Sequence, residues 1–363
     1  MSIQNLTNGV SITCHAWNGD RTRVAICPNN NQVLIMRNDG KTWVREHTLS
    51  QHDSIVTGID WAPKTNRIVT CSQDRNAYVW HLQEDGTWKP ELVILRIDRA
   101  ATDVKWSPNE DKFAVASGAK VVSVCHFEED NDWWVSKHIK KHRSTIVKVA
   151  WHPNNQLLAT ASTDYKARVV YAMIREVDKK PAPTNWGVGK VFGDILGEFD
   201  CAGWVQSVAF SPSGNRLCYV GHNSTITFVD SARGGNHAIA TLKLRQLPMC
   251  DCLFLDENRV VAAGHDCKPF LFTASGPGAW AFTKCIDEKK AGPAGGASAT
   301  MNKFEMFRNK VDKGTTDQSA LATAVDSKHQ NTITCIRPFT VANGIVSEFT
   351  TSALEGAVAW WKI

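Results

Sequence analysis

Long apolar runs and paired cysteines are both absent from this sequence of 363 residues. No apolar run reaches the roughly 18 residues of a membrane-spanning helix, and the N-terminus lacks the basic and then apolar pattern of a secretory leader. The eleven cysteines include no C-x-x-C pair, which is typical of small buried residues in a reducing compartment. These absences predict a cytoplasmic protein without disulfides and without direct membrane insertion.

Motifs of the common enzyme classes are missing as well. The chain has no phosphate-binding glycine loop, no H-E-x-x-H, no G-x-S-x-G and no cysteine cluster with zinc spacing. The net charge of +5 is mild, and the sequence shows no concentrated basic face of the kind that favours nucleic acid. We therefore predict no catalytic residue, cofactor, metal ligand or nucleic-acid partner, and we expect a binding protein rather than an enzyme.

Residues 52–80 contain the pattern around which the chain is organised. Residues 55–61 are apolar and nearly alternating, which predicts a buried strand, and residues 63–66 predict a turn. A second strand over 67–72, a tight turn over 73–76 and a third strand over 77–80 follow. Three short strands joined by hairpin turns cannot bury both faces alone, so neighbours of the same kind are expected.

Copies of this stretch recur along the chain. The position of Trp61 has seven equivalents: Trp17, Trp61, Trp106, Trp151, Phe210, Phe254 and Pro338. Their spacings are 44, 45, 45, 59, 44 and 84 residues, and a period near 44 is typical of a four-stranded propeller blade. The pattern predicts an all-β protein in which residues 1–363 form a single domain, a seven-bladed β-propeller.

Closure of such a ring requires its two ends to meet. Residues 357–363 predict a strand of the last blade with no further strand after it, so residues 2–7 should add the outermost strand of that blade. The pairing removes exposed sheet edges.

Four polar side chains in residues 52–80 have the spacing to form one chain of hydrogen bonds: His52, Thr70, Asp74 and Trp80. This arrangement resembles the structural tetrad of WD40 repeats, and we interpret it as structural rather than catalytic. The other copies have diverged. Blade four has Val170 in place of the tryptophan, and blade seven has Glu355 in place of the aspartate.

Two segments interrupt the period, over about 173–200 and 287–328. The first predicts an extended loop between blades four and five. The second, between blades six and seven, combines loop with a short helical pattern, in which Met301, Phe304, Phe307 and Arg308 fall at i, i+3, i+6 and i+7. Apolar side chains on one face of a short helix suit docking into a partner's groove. The same side chains would also suit packing on the propeller flank.

A basic segment follows the paired tryptophans at residues 133 and 134. Lys137, Lys140, Lys141 and Arg143 have the charge to steer an acidic partner. A solvated outer strand with packed tryptophans is the alternative interpretation, and the sequence favours neither.

Several strings are more specific than the repeat pattern. Besides residues 52–80, they are ITCHAWN (12–18), LVILRIDRAAT (92–102), NDWWVSKHIKKHRST (131–145), AAGHDCKPFLF (262–272) and MNKFEMFRN (301–309). Together they closely resemble the WD-repeat subunit 1 family of the actin-related-protein 2/3 (Arp2/3) complex, over essentially the whole chain.

The resemblance implies a non-catalytic scaffold subunit of a complex that supports actin filament nucleation and branching, without a cofactor of its own. The implied partners are the other subunits, including two actin-related proteins, together with the actin filament and nucleation-promoting factors. By position, Met301, Phe304, Phe307 and Arg308 are the candidates for contact with the mother filament. Lys137, Lys140, Lys141 and Arg143 are candidates for contact with acidic activators. The implied location is the cytoplasmic actin cytoskeleton.

Two other functions remain open at the level of sequence. A WD40 adaptor of another multiprotein complex, of ligase type or reading a modified peptide, would differ in the proteins that co-purify with it. A propeller enzyme would need ionisable groups that converge in the central channel, and the sequence pattern places none there.

Overall fold

The computed structural model describes residues 2–7, 9–40, 42–179, 183–287 and 327–363. In this part of the chain, 28 strands form seven antiparallel four-stranded sheets. First strands of neighbouring sheets pack against one another around the whole ring. The predicted all-β, seven-bladed propeller is confirmed.

Blades one to six take their strands in chain order from the centre outward, and blade seven does so for its first three strands and takes its outermost strand from the N-terminus. The innermost strands are Cys14–Trp17 (β2), Val56–Trp61 (β6), Ala101–Trp106 (β10), Ile146–Trp151 (β14), Val205–Phe210 (β18), Met249–Asp256 (β22) and Ile333–Ala342 (β26). The second strands are Arg23–Cys27 (β3), Ile68–Ser72 (β7), Lys112–Ser117 (β11), Leu157–Ser162 (β15), Arg216–Gly221 (β19), Arg259–Gly264 (β23) and Ile345–Ala353 (β27). The third strands are Val33–Asn38 (β4), Asn76–Leu82 (β8), Val122–Glu128 (β12), Lys166–Tyr171 (β16), Thr225–Asp230 (β20), Phe270–Gly276 (β24) and Ala357–Lys362 (β28). The outermost strands are Trp43–Leu49 (β5), Trp88–Ile94 (β9), Trp133–Ile139 (β13), Ile195–Asp200 (β17), Ala238–Lys243 (β21), Ala279–Cys285 (β25) and Ile3–Asn5 (β1). Among the described residues, one 3-10 turn, Arg233–Gly235, precedes β21.

The ring is closed by the N-terminal strand β1. It pairs antiparallel with β28, with Ile3 opposite Ala359 and Asn5 opposite Ala357. The Leu6 N–H then donates to the Gly356 carbonyl at 3.2 Å, and the Leu6 side chain is buried. The predicted closure of the last blade is therefore confirmed.

The hydrophobic core lies between blades rather than inside any one of them. Val69 and Val79 of blade two pack in one cluster with Val104 and Phe113 of blade three. Trp106, at the end of β10, belongs to the same cluster and is 6% exposed. Aromatic side chains bury large apolar areas, which explains why the repeat places them where two blades meet.

Most blades have a β-bulge near the start of the innermost strand. In blade two the register shifts between Val56 and Gly58. A Cβ atom on Gly58 would lie 2.9 Å from the Val104 backbone nitrogen and 3.1 Å from the Asp103 Cα atom. Only glycine permits this close approach of the two inner strands.

The propeller has two distinct faces because neighbouring strands are antiparallel. Turns between second and third strands lie at the same end as the connections that enter each new blade. We call this end the tetrad face, because residues 52 and 74 lie there. The turns after the innermost strands, such as residues 62–67, form the opposite end, which we call the proline-turn face.

The structure differs from the expected loop over 173–200. Ile195–Asp200 is the outermost strand of blade four and pairs with Lys166–Tyr171, so the additional residues lie within that blade, between its third and fourth strands. The helical pattern expected within 287–328, with Met301, Phe304, Phe307 and Arg308, lies outside the described residues.

Candidate functional site

The four polar side chains of blade two are joined by hydrogen bonds. His52 Nδ1 lies 2.7 Å from Asp74 Oδ2, and His52 Nε2 lies 2.8 Å from Thr70 Oγ1. The Trp80 indole N–H donates to the same hydroxyl at 3.0 Å. Asp74 also accepts the backbone N–H groups of residues 53 and 76. The arrangement holds an entry loop, a turn and a strand together, and it presents no group to a substrate because His52 is 3% exposed.

Blade seven forms the same network with a longer carboxylate. His329 Nδ1 lies 2.5 Å from Glu355 Oε1, and His329 Nε2 lies 2.6 Å from Thr351 Oγ1. The Trp361 indole donates to this hydroxyl at 2.7 Å.

Blade four connects the corresponding residues differently. His142 Nε2 bonds to Thr160 Oγ1 at 2.9 Å, but the buried His142 Nδ1 has no partner among the described residues. The Asp164 carboxylate instead accepts from Arg168 Nη1 at 2.8 Å, and Arg168 Nε donates to Glu198 at 2.8 Å. Burial, reinforced by the positive charge of Arg168, lowers the pKa of His142 to about 4. This histidine is therefore neutral at physiological pH.

The basic residues after the paired tryptophans lie in two places. Lys137 is in the middle of β13, where its ammonium group contacts both Glu176 oxygens at 3.1 Å. Lys140, Lys141 and Arg143 are exposed on the tetrad face, in the connection into blade four. The Arg143 backbone N–H donates to Asp164 at 2.9 Å. The structure thus groups three of the four predicted residues on one face and places Lys137 on the flank.

Further basic side chains on the same face were not predicted. Arg75 and Lys120 follow the position of the tetrad aspartate in blades two and three, with φ angles of 73° and 61°. Both are exposed, as are Arg96 and Arg99 in the connection between these blades. A Cβ atom on Gly118 would lie 3.3 Å from Arg99 Cβ, so the connection and the turn are adjacent. We call the combined surface the basic arc; it comprises Arg75, Arg96, Arg99, Lys120, Lys140, Lys141 and Arg143.

The backbone of the basic arc has a feature that repeats around the ring. The left-handed region disfavours residues with a Cβ atom by roughly 1 kcal/mol or more, yet the residue after the position of the tetrad aspartate adopts it in five blades, at Arg75, Lys120, Tyr165, Ser224 and Cys267. The turn geometry therefore fixes where these side chains emerge. An alignment of the seven turns would have shown this common position.

Ionisable side chains converge in the central channel, where the sequence pattern itself did not place them. They come from the innermost strands of five blades: Asp60, Lys105, Lys148, Asp251 and Arg337. Burial raises the pKa of Asp251, but the nearby Lys148 and Arg337 charges outweigh it, so that its pKa is lowered. Burial likewise lowers the pKa of Lys148, and the Asp251 and Asp103 charges outweigh it, so that its pKa is raised. Both groups are charged at neutral pH.

Carboxylates of the innermost strands link three pairs of neighbouring blades. Asp60 accepts the Trp106 backbone N–H at 2.9 Å, and Asp251 accepts that of Ile336 at 2.9 Å. Asp103 likewise accepts the Val149 backbone N–H at 3.1 Å. Innermost strands have an unpaired edge toward the channel, and these bonds satisfy their backbone donors.

The described ranges hold no group of three or more histidine, cysteine, aspartate or glutamate side chains placed to bind a metal ion. In the same ranges, no helix is long and apolar enough to span a bilayer.

Comparisons with protein families agree with the fold. Residues 43–81 match the model described as "WD domain, G-beta repeat". Residues 104–179 match a model described as "Anaphase-promoting complex subunit 4 WD40 domain".

Similarity to individual curated proteins extends along nearly the whole chain. Actin-related protein 2/3 complex subunit 1A-B of Xenopus laevis is 50% identical over 354 residues, which is 96% of this chain and 93% of the relative. Subunit 1B of the complex in Arabidopsis thaliana is 45% identical over 97% of this chain and 94% of its own length. Subunit 1 of Schizosaccharomyces pombe is 44% identical, with 96% of each chain covered.

Proposed function

This chain belongs to the family of actin-related protein 2/3 complex subunit 1, and on that premise we propose that it acts as a non-catalytic scaffold subunit in actin filament nucleation and branching. The observation that carries the proposal is the extent of the similarity. Identities of 44–50% run through about 96% of the chain and 93–96% of the relatives, so all seven blades have counterparts in proteins of that name.

An adaptor in a ligase-type complex is the second candidate, and the match over residues 104–179 is the observation in its favour. That match covers only about two blades of a common fold, and a fold shared by two proteins does not imply a shared function. The similarity to the subunit 1 proteins extends over the whole ring and therefore outweighs it.

We assign two contact surfaces within the proposed role. The first consists of Met301, Phe304, Phe307 and Arg308, which we propose contact the mother filament because three apolar side chains with helical spacing suit docking into a groove. The second is the basic arc, which includes Lys140, Lys141 and Arg143 and which we propose attracts acidic activators. Lys137 contributes less, because Glu176 already neutralises its charge.

Native purification of the tagged full-length chain, followed by mass spectrometry of the co-purifying proteins, tests the role. We expect two actin-related proteins and several small subunits in stoichiometric amounts. Recovery of ubiquitin-ligase subunits without actin-related chains would favour the adaptor instead.

Replacement of both Phe304 and Phe307 by alanine tests the filament contact. We expect the complex to assemble normally and to form fewer branches, as counted by fluorescence microscopy of single filaments. A matched change of the exposed Phe282, on the outermost strand of blade six, should leave the branch density unchanged. A normal branch density for the double variant would remove these residues from the filament contact.

A further inference from the structure

The central channel contains a cavity with more hydrogen-bond donors than acceptors. It has a volume of about 330 Å³ and is lined by the innermost strands of blades two to seven. A neighbouring cavity of about 280 Å³ shares Asp60, Trp106 and Arg337 with it and extends to the turns of the proline-turn face. Volumes of this order are typical of small-molecule sites.

The two lysines of this cavity have no hydrogen-bond acceptor within the described residues. Lys105 Nζ lies 3.5 Å from its nearest carboxylate, on Asp60, and Lys148 Nζ lies 3.9 Å from that of Asp251. Their side chains are only 19% and 18% exposed. The carboxylate charges stabilise these ammonium groups without forming hydrogen bonds to them, so their N–H groups have no acceptor in the described part of the chain.

Arg337 adds further free donors to the same space. Its Nε donates to the His15 carbonyl and its Nη1 to the Ile336 carbonyl, each at 3.1 Å. A guanidinium group has five N–H donors, so three remain without an acceptor in the described part of the chain. The closest carboxylate, on Asp251, is 3.8 Å away.

The carboxylates compensate only in part, because backbone and hydroxyl donors occupy both oxygens of Asp251 and one oxygen of Asp60. Asp251 Oδ1 accepts from Ser207 Oγ at 2.7 Å and from the Cys252 N–H at 3.1 Å. Its Oδ2 accepts from the Ile336 N–H, and Asp60 Oδ2 accepts from the Trp106 N–H. The positive and negative charges of the cluster nearly cancel, but its N–H donors outnumber the acceptors that remain available to them.

We propose that the channel binds a small oxyanion of the phosphate class, held by Lys105, Lys148 and Arg337. Oxygen atoms of such an anion would accept the spare N–H groups in charge-assisted hydrogen bonds, which are stronger than neutral ones. The anion links innermost strands of blades three, four and seven. It is bound, not transformed, and the site is separate from the basic arc on the tetrad face.

Calorimetric titration of the full-length chain with inorganic phosphate, at constant ionic strength maintained with chloride, tests the site. We expect one saturable site. Lys105→Gln should weaken phosphate binding at least about tenfold, since it removes a charge-assisted hydrogen bond. Lys89→Gln, on the exposed outermost strand of blade two, is the matched control and should bind like the parent protein. Equal affinities of the two variants, or no saturable binding by the parent chain, would overturn the proposal.

Crystals of the unmodified chain soaked in selenate provide a test that does not depend on a variant folding. We expect an anomalous difference peak in the channel, within hydrogen-bond distance of the Lys148 ammonium group. Peaks confined to the outer surface, with only water in the channel, would contradict the assignment.

Discussion

In blade two and blade four, different interactions stabilise the turn between the second and third strands. In blade two the Asp74 carboxylate accepts from His52, and Tyr78 packs edge-on against the His52 ring with centroids 4.8 Å apart. In blade four the position of Tyr78 is taken by Arg168, which bonds to Asp164 and to Glu198. The tryptophan position is taken by Val170, which is fully buried.

The comparison shows that a blade can lack one tetrad residue and still keep this turn bonded to its neighbouring strands. Blade two uses neutral donors and one carboxylate in a chain of hydrogen bonds, whereas blade four uses charges that run from the buried Asp164 and Arg168 to the partly exposed Glu198. The arrangement in blade four is less favourable at one atom, because the buried His142 Nδ1 has no hydrogen-bond partner among the described residues. It also makes blade four depend strongly on one side chain, that of Arg168.

Removal of Arg168 should have the largest effect on stability. Arg168→Met leaves the Asp164 carboxylate, whose side chain is 4% exposed, without its cation, and breaking a buried ion pair costs about 3–5 kcal/mol. The matched change in blade two, Tyr78→Met, removes only an aromatic contact worth about 1 kcal/mol. Urea unfolding of both variants measures the difference, and equal losses would show that blade four does not depend on its charges.

Substitution of the threonine shared by the two blades should have an intermediate effect. Thr70→Val leaves both the Trp80 N–H and a His52 nitrogen unpaired, whereas Thr160→Val affects only His142. Because each unsatisfied buried group costs about 1–3 kcal/mol, we expect the first variant to lose roughly twice as much free energy of unfolding as the second. A larger loss for Thr160→Val in the same urea titrations would refute this account of the two networks.

The two histidines should respond differently to pH. The pKa of His142 is lowered to about 4 from an unfolded value near 6.5, so between these pH values only the unfolded chain takes up the proton. Stability should therefore fall as the pH drops through this window, with a slope of about 1 kcal/mol per pH unit from this residue. Burial also lowers the pKa of His52, but Asp74 opposes that shift.

Unfolding curves recorded between pH 7 and pH 5 separate these contributions. His142→Gln should flatten the pH dependence of the unfolding free energy more than His52→Gln does, whatever the two substitutions do to stability at pH 7. An unchanged slope in the His142 variant would mean that this residue titrates normally.

Charge reversal on the tetrad face should have the smallest effect on stability. Lys140→Glu combined with Lys141→Glu changes exposed side chains, so we expect a change in unfolding free energy within about 0.5 kcal/mol. Binding of an acidic activator peptide should nevertheless weaken, most strongly at low salt, because long-range attraction is screened as salt rises. Lys137→Glu on the flank is the control and should weaken binding less. Unchanged affinity of the double variant at low salt would remove the basic arc from activator binding.

Sequence patterns predicted the blades well because each blade is a local unit. The spacing of Trp17, Trp61, Trp106 and Trp151 reflects hairpins whose strands follow one another in the chain, and the closing strand followed from the missing fourth strand of blade seven. The strand Ile195–Asp200 was missed because a long interruption separates it from the third strand of its blade.

The channel cluster could not be found in the same way. Asp60 and Arg337 are neighbours only because the ring closes, and alternation along a strand does not tell which side faces the channel. Arg168 was missed for a related reason. The sequence showed the absence of a tryptophan at position 170, but the compensating charge lies two residues earlier, at a position that the tetrad pattern does not include.

Hydrogen–deuterium exchange of the chain within its purified complex, with and without the acidic activator peptide, tests the central claim most directly. If the ring is a fixed scaffold and partners bind its tetrad face, residues 140–145 and 118–121 should become protected by the peptide. The inner strands of blade two, Val56–Trp61 and Ile68–Ser72, should exchange slowly in both states. Protection confined to the proline-turn face, or increased exchange within blade two on activator binding, would contradict this account.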